Sequence, residues 1–150
     1  MIICLTIFVT SCATAYKKNG FTGGYTDMRL ANDIFSVSFH GNGYTSEDKV
    51  NAYFLRRCAE VTESNGYDYF IFLDQRTSTS SQIIQTSEGY ANTTANVNGP
   101  SFNARTSYTP PSYTKINKHR REGMIRSFKE GEQPPSSLKA KIILENFEQK

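Results

Sequence analysis

The chain has 150 residues, a formal net charge of +3 and a charged fraction of 21%. This length is enough for one domain with a modest core, and the mean hydropathy of -0.52 excludes a protein with many membrane spans. The small net charge does not indicate any particular partner.

Residues 1–11, MIICLTIFVTS, contain no charged side chain and are mostly large and apolar. A helix over this stretch would cover only about half of a bilayer core ~30 Å thick, so a permanent span is not expected. The pattern predicts a signal peptide at residues 1–11. Two alternatives remain open: a buried strand or helix formed by Met1 to Ala15, and a signal cut elsewhere that leaves a soluble secreted protein.

The end of this apolar run resembles a bacterial lipobox, in which an aliphatic residue and two small residues precede a cysteine. The four positions are Val9, Thr10, Ser11 and Cys12. The lipoprotein signal peptidase needs small side chains before its cut, and the cysteine thiol accepts the diacylglyceryl group. We therefore predict lipid attachment at Cys12, with further acylation such as palmitate. No Lys or Arg precedes the run, which leaves open a translation start upstream of Met1.

Two or more acyl chains on Cys12 would hold the protein on a membrane almost permanently. The next residue is Ala13 rather than aspartate, which in Gram-negative sorting indicates the outer membrane. The following polar, Gly-rich stretch KKNGFTGG predicts a flexible tether, so residues 12–24 are interpreted as lipidated N-terminus and tether. Lys17 and Lys18 are expected to be solvated, with contact to anionic head groups as the alternative.

Residues 25–150 are predicted to form a single domain, which opens with two strands joined by a turn at residues 31–33. In the second strand Phe35, Val37 and Phe39 alternate with polar residues, which is typical of one buried and one solvated face. This alternation places His40 on the outer face at the end of the strand.

A helix is predicted next, beginning at a cap formed by Thr45 or Ser46 and ending at Gly66. Its apolar stripe consists of Val50, Phe54, Cys58 and Val61. We interpret Cys58 as a core residue and not as a nucleophile, because burial on such a stripe disfavours the thiolate.

The segment YDYFIFLDQRT predicts a central strand that is buried on both faces. Residues 75–118 differ in character, because Ser, Thr and Asn dominate and aliphatic residues are few. They predict a Ser/Thr/Asn-rich insertion or long loop, with a floppy hairpin as the alternative, and STSSQIIQTSEGY at its start could extend the preceding strand.

The C-terminal part regains an ordered pattern. A strand is predicted from about residue 121 to 129, followed by a short helix capped by Ser136 or Ser137. The expected fold class is α+β, with a small antiparallel sheet of about four strands packed against one main helix. A short C-terminal helix and the long Ser/Thr-rich loop complete this expected architecture.

Four motifs of this chain resemble a family of small Gram-negative lipoproteins of the outer-membrane type, which has no assigned activity. The motifs are Gly24-Tyr25, Phe39 to Gly43, Arg57 to Glu60, and the Gly-Tyr-Asp-Tyr-Phe sequence at Gly66 to Phe70. The match that contains these motifs runs from Gly24 to Phe72 and again over GMIRSFKEG at residues 123–131; it covers roughly half of the chain and excludes the Ser/Thr-rich insertion. The resemblance implies a lipobox and a location in the cell envelope.

No residue pattern indicates an active site, so we expect no catalytic residue, no metal site and no cofactor. His40 and His119 are too few and too far apart in sequence for a metal motif. The strongest positive run comprises Lys115, Lys118, His119, Arg120 and Arg121. We expect this run to be solvated, with lipopolysaccharide, lipid phosphate or another anionic polymer as the alternative ligand.

The leading functional hypothesis is a non-enzymatic envelope lipoprotein that contacts another envelope protein, for example by pairing a sheet edge with a partner strand. A glycan- or cell-wall-binding module is the alternative, because nine tyrosines offer rings that can stack on sugars. An unrecognised enzyme is the third hypothesis. Nucleic acid is not an expected partner in this compartment.

Overall fold

The computed structural model describes residues 13–149. The predicted signal peptide at 1–11 and the lipobox Val9, Thr10, Ser11 and Cys12 lie outside the described residues. The elements within residues 13–149 are β1 (Gly24–Arg29), β2 (Ile34–His40), α1 (Glu47–Ser64), β3 (Tyr69–Ser87), β4 (Tyr90–Asn98), β5 (Ser101–Thr109), β6 (Ser112–Phe128), β7 (Leu138–Lys139) and α2 (Ala140–Glu148).

The described chain divides into two compact units. The first comprises the residues up to Ser80 and those from Lys118 onward, and the second comprises Ser81–Asn117. One sheet has five strands in the order β1-β2-β6-β3-β7, and β4 and β5 form a separate two-stranded sheet. The predicted fold, a sheet of about four strands against one main helix, is therefore wrong: residues 13–149 are mostly strand and form two sheets and two helices.

The error arises in residues 75–118, where the predicted long loop is strand for most of its length. Both faces of these strands are exposed, so the sequence lacks the hydrophobic pattern that marks a strand lying on a core. Here the strands are held by pairing between backbones, and the many Thr residues are β-branched and suit extended chain. The leading prediction of a loop is therefore wrong, whereas the alternative of a hairpin agrees with the pairing of β4 and β5.

The predicted hairpin of β1 and β2 is confirmed, with pairing from Gly24↔His40 to Arg29↔Phe35. β2 also pairs antiparallel with β6, whose C-terminal part is the strand predicted at residues 121–129. The core consists of Phe35, Val37, Phe39, Val50, Phe54, Cys58, Ala59, Val61, Phe70, Ile125 and Ala140.

β3 was predicted to be central and buried on both faces; it is an interior strand of the sheet, but its predicted burial is wrong. It lies between β6 and the two-residue strand β7, and only Phe70 within it is buried while Leu73 is 47% exposed. The sheet has a solvated face, since Met28 and Met124, both paired with Ser36, are 61% and 37% exposed. The apolar run in β3 therefore did not show whether one face of the sheet is buried or both.

α1 confirms the predicted helix. Ser46 is the N-cap, and its Oγ accepts a hydrogen bond of 3.3 Å from the backbone N–H of Lys49. The predicted stripe is buried, and Gly66 follows the helix with φ of 80°, in the left-handed region that favours glycine.

α2 confirms the C-terminal helix but not its predicted cap. Lys139 occupies the N-cap position and makes no side-chain cap hydrogen bond. The residues before the helix instead pair as β7, with Tyr69↔Lys139 and Phe70↔Leu138, so the chain enters α2 directly from a strand.

The N-terminal segment differs from the predicted flexible tether in its described part. Thr14 is 1% exposed, and Tyr16 packs against the core. Backbone hydrogen bonds join Asn19 N to Tyr25 O at 2.7 Å and Tyr25 N to Lys17 O at 2.9 Å. Gly24 allows the chain to turn back tightly on itself here. Its φ is 133°, and a Cβ at this position would lie 2.4 Å from Lys17 O.

Candidate functional site

The second unit contains an exposed β-ribbon formed by β4 and β5. The two strands pair antiparallel over their full length, from Tyr90↔Thr109 to Asn98↔Ser101. Gly99 stands at the turn with φ of 59°, which glycine adopts without strain. Every residue of both strands is exposed.

The ribbon has two chemically different faces because side chains alternate along each strand. One face carries the cross-strand pairs Ala91↔Tyr108, Thr93↔Thr106, Ala95↔Ala104 and Val97↔Phe102. The opposite face carries Tyr90↔Thr109, Asn92↔Ser107, Thr94↔Arg105, Asn96↔Asn103 and Asn98↔Ser101. We call the first set the apolar ribbon face; on it Val97 is 69% and Phe102 is 68% exposed.

The ribbon also lacks the usual protection of open strand edges. Soluble proteins commonly place charged residues or proline on such edges to prevent pairing with another chain. Between Ser81 and Asn117 the charged side chains are Glu88, Arg105 and Lys115, and none of them lies on β4. The edge of β4 is therefore chemically open to strand pairing.

A second candidate region lies in the first unit, where the fold brings together the two histidines of the chain. A cleft of about 360 Å³ is lined by His40, Gly41, Ser78, Thr79, Ser80, Lys118, His119 and Arg120. His40 and Arg120 are Cα partners in the β2–β6 pairing, so they share one face of the sheet. Part of the predicted positive run thus borders a cleft, whereas Lys115 belongs to the second unit.

His40 lies at the end of β2, as predicted, and is half-buried there. Burial lowers the pKa of His40, the positive charge of Arg120 lowers it further, and Glu122 opposes both effects. Arg120 also forms an ion pair of 2.5 Å with Glu122. Ser38 Oγ lies 3.3 Å from His40 Nε2, but Ser38 is only 7% exposed and so offers a substrate little access.

Cys58 is fully buried on α1, which confirms its interpretation as a core residue. Burial raises the pKa of the Cys58 thiol well above its usual range, with Arg121 and Arg57 opposing this. Among residues 13–149, no group of three or more His, Cys, Asp or Glu side chains is placed to hold a metal ion. No helix in this part of the chain has the length and apolar character needed to cross a membrane.

The exposed tyrosine rings on β4 and β5 do not gather in one groove. Tyr90 and Tyr108 are exposed but lie on opposite faces of the ribbon, as the pairing shows. The tyrosines packed against the core are Tyr16, Tyr25, Tyr53 and Tyr67. Tyr16, Tyr25 and Tyr53 do cluster, with ring centroids 5.1 Å apart for Tyr16–Tyr25 and 5.2 Å apart for Tyr16–Tyr53, but these rings pack against the core.

The apolar ribbon face is the feature that the sequence interpretation missed. Its signal is present in the alternation of Ala91, Thr93, Ala95 and Val97, and again in Phe102, Ala104, Thr106 and Tyr108. Alanine and threonine are weak markers of burial, so this period of two does not stand out in a Ser/Thr/Asn-rich stretch.

Comparison with known proteins finds no match for this chain among protein-family models, curated proteins or solved structures.

Proposed function

We propose that this chain is a bacterial envelope lipoprotein, anchored through Cys12 and acting without catalysis as a protein-interaction module. The residues Val9 to Cys12 support the anchor, because they match the requirements of the lipoprotein signal peptidase. Ala13 supports an outer-membrane location. The resemblance to Gram-negative lipoproteins noted above points to the same compartment.

The apolar ribbon face is the observation that carries the interaction role. A two-stranded ribbon by itself is marginally stable in water, and this one leaves Val97 and Phe102 about two-thirds exposed. Burying one such side chain contributes roughly 1.5–3 kcal/mol. Binding of a partner would therefore stabilise the ribbon and remove an exposed apolar surface at the same time.

The partner that fits this surface is another envelope protein with an apolar, weakly charged face or an open strand edge. An open edge could pair with β4, whose backbone is unprotected by charge, while apolar side chains cover Val97 and Phe102. A glycan ligand is not favoured by any observation on the ribbon, since its exposed rings are divided between two faces.

Site-specific photo-crosslinking in intact cells tests this proposal. A photoreactive amino acid replaces Val97 or Phe102 on the apolar ribbon face. The matched controls replace Asn96 or Asn103, which pair with each other on the opposite face of the same strands. All four variants keep the anchor and the first unit unchanged, so their export and abundance can be compared directly.

We expect positions 97 and 102 to crosslink to the same second protein and positions 96 and 103 to do so weakly or not at all. Substituting Val97→Asn and Phe102→Asn together should then abolish co-purification of that protein. Equal crosslinking from both faces, or crosslinks to further copies of this chain alone, would contradict a specific partner on the apolar ribbon face.

A further inference from the structure

The described N-terminal segment leaves almost no free chain between the predicted lipid site and the folded domain. Thr14 is 1% exposed and its backbone N–H donates to Thr45 Oγ1 at 2.8 Å. Its Oγ1 donates to Thr22 O at 3.0 Å and accepts from Asn42 N at 2.8 Å. Cys12 precedes Thr14 by two residues, so the chain between their α-carbons spans at most about 7 Å.

This short reach has a direct physical consequence for an anchored protein. A lipid on Cys12 would keep the surface around Thr14 within a few ångströms of the head groups, because no flexible linker intervenes. The domain could not be held away from the bilayer by residues 13–24. Whatever the surface around Thr14 displays must therefore be compatible with a membrane interface.

Two exposed aromatic residues are next in the chain to residues that are hydrogen-bonded to Thr14. Phe21 is fully exposed and is adjacent in the chain to Thr22, whose carbonyl accepts the Thr14 hydrogen bond. Tyr44 is 72% exposed and is adjacent to Thr45, which binds the Thr14 backbone. Exposed aromatic rings of this kind partition favourably into the head-group region of a bilayer.

The charge of the same region is favourable for a membrane. Lys17 and Lys18 are exposed and residues 13–24 contain no acidic side chain, whereas the exposed Glu47 and Asp48 follow Tyr44 at the start of α1. Positive charge next to the lipid site complements anionic phospholipid head groups. The short reach of a lipid on Cys12, the exposed aromatic rings and the two lysines therefore all favour a phospholipid bilayer against this surface.

We propose that Phe21, Tyr44, Lys17 and Lys18 form a membrane face that rests on the phospholipid bilayer carrying the anchor. This inference depends on the lipidation of Cys12 that is part of the proposed function. The two rings enter the head-group region, and the two lysines contact anionic head groups. The first unit is thus oriented by its N-terminal segment and is not freely tumbling on a tether.

Tryptophan fluorescence provides the test, because the chain contains no tryptophan. Phe21→Trp places a single probe on the membrane face at a fully exposed position. Leu30→Trp is the matched control, since Leu30 is 47% exposed and follows the opposite end of β1, about 20 Å along the strand. Both full-length variants are produced with export, purified from membranes and reconstituted into phosphatidylethanolamine–phosphatidylglycerol vesicles containing brominated acyl chains.

We expect Trp emission from position 21 to shift to the blue and lose intensity through bromine quenching, and emission from position 30 to stay unquenched. The intact mass of each protein is measured in parallel. A lipidated protein with unquenched emission at position 21, or with equal quenching at positions 21 and 30, overturns the membrane face while the anchor stands. A mass without lipid instead contradicts the anchor itself.

Discussion

Glu60 is the centre of a polar cluster that joins the N-terminal segment to α1. Its carboxylate accepts hydrogen bonds from Tyr16 Oη at 2.5 Å, Arg56 Nε at 2.9 Å and Arg57 Nη1 at 2.9 Å. Arg57 also forms an ion pair of 2.8 Å with Asp27 on β1. The cluster therefore connects three parts of the first unit through one helix face.

The surroundings of Glu60 shift its pKa in opposing directions. Burial by itself raises the pKa of Glu60, but the hydrogen bonds from Tyr16, Arg57 and Arg56 and the charge of Arg56 lower it below its ordinary value. A carboxylate with a lowered folded-state pKa stabilises the fold fully above its unfolded pKa. That contribution is lost as the pH falls through the folded-state pKa.

Glu60→Gln should reduce the free energy of unfolding at pH 7 by roughly 1–2 kcal/mol, because hydrogen bonds to a charged acceptor are replaced by weaker ones. The difference from the wild-type protein should shrink as the pH falls from the ordinary carboxyl pKa through the lowered folded-state pKa of Glu60, because the unfolded chain is protonated first and the folded protein only at lower pH. Urea unfolding at pH 7 and at acidic pH measures both effects.

Glu63→Gln is the control for Glu60→Gln, because Glu63 is an exposed carboxylate on the same helix. It should change the free energy of unfolding little at either pH. If both variants behave alike across the pH range, the cluster around Glu60 does not contribute to stability as described.

At the scale of elements, α1 is the part of the fold that local chemistry explains best. Ser46 accepts from Lys49 N, Glu47 and Asp48 occupy the first turn, and the buried residues recur at helical spacing. Each of these features is read from consecutive residues without knowledge of the partner elements. Both the start of the helix and the face that it buries could therefore be predicted from the sequence.

Ser46→Ala should reduce the free energy of unfolding by about 1 kcal/mol, because the N–H of Lys49 loses its capping acceptor. Ser46→Asp should retain most of the stability, since a carboxylate is also a good cap and suits the positive end of the helix. Urea unfolding followed by circular dichroism compares the two variants. Equal losses for both would show that the cap does not stabilise α1.

The ribbon is the element for which local chemistry was insufficient. Residues 90–109 have the Ser/Thr/Asn-rich composition of a loop, yet β4 and β5 pair along their whole length. Cross-strand contacts such as Thr93 Oγ1 to Thr106 Oγ1 at 2.8 Å stabilise the pairing, and they exist only once the register is set. The prediction of a loop failed because it weighed burial and not strand pairing.

For the whole molecule, the proposed anchor at Cys12 would determine what the two units can do. If Cys12 carries lipid, the first unit lies next to the membrane because Thr14 is already part of its fold. In the proposed function, the ribbon would provide the surface that meets a partner protein in the envelope. Both roles depend on a modification that the residues Val9 to Cys12 predict and that can be measured directly.

Cys12→Ala should abolish a lipid-sized increment in the intact mass of the exported protein and its preference for the detergent phase. The reason is that the thiol is the only group in the lipobox that can accept the diacylglyceryl chain. Cys4→Ala serves as the control and should leave both measurements unchanged, because Cys4 lies within the predicted signal peptide. An unmodified wild-type protein would contradict the lipobox interpretation.

The sequence by itself determined those features that depend on neighbouring residues: α1 with its cap, the hairpin of β1 and β2, and the burial of Cys58. Capping, turn propensity and hydrophobic periodicity act over a few residues, so they can be read without a fold. The tertiary structure alone decided the contacts between distant residues. Tyr16 meets Glu60, and His40 and His119 line one cleft, because the order and register of the strands bring them together.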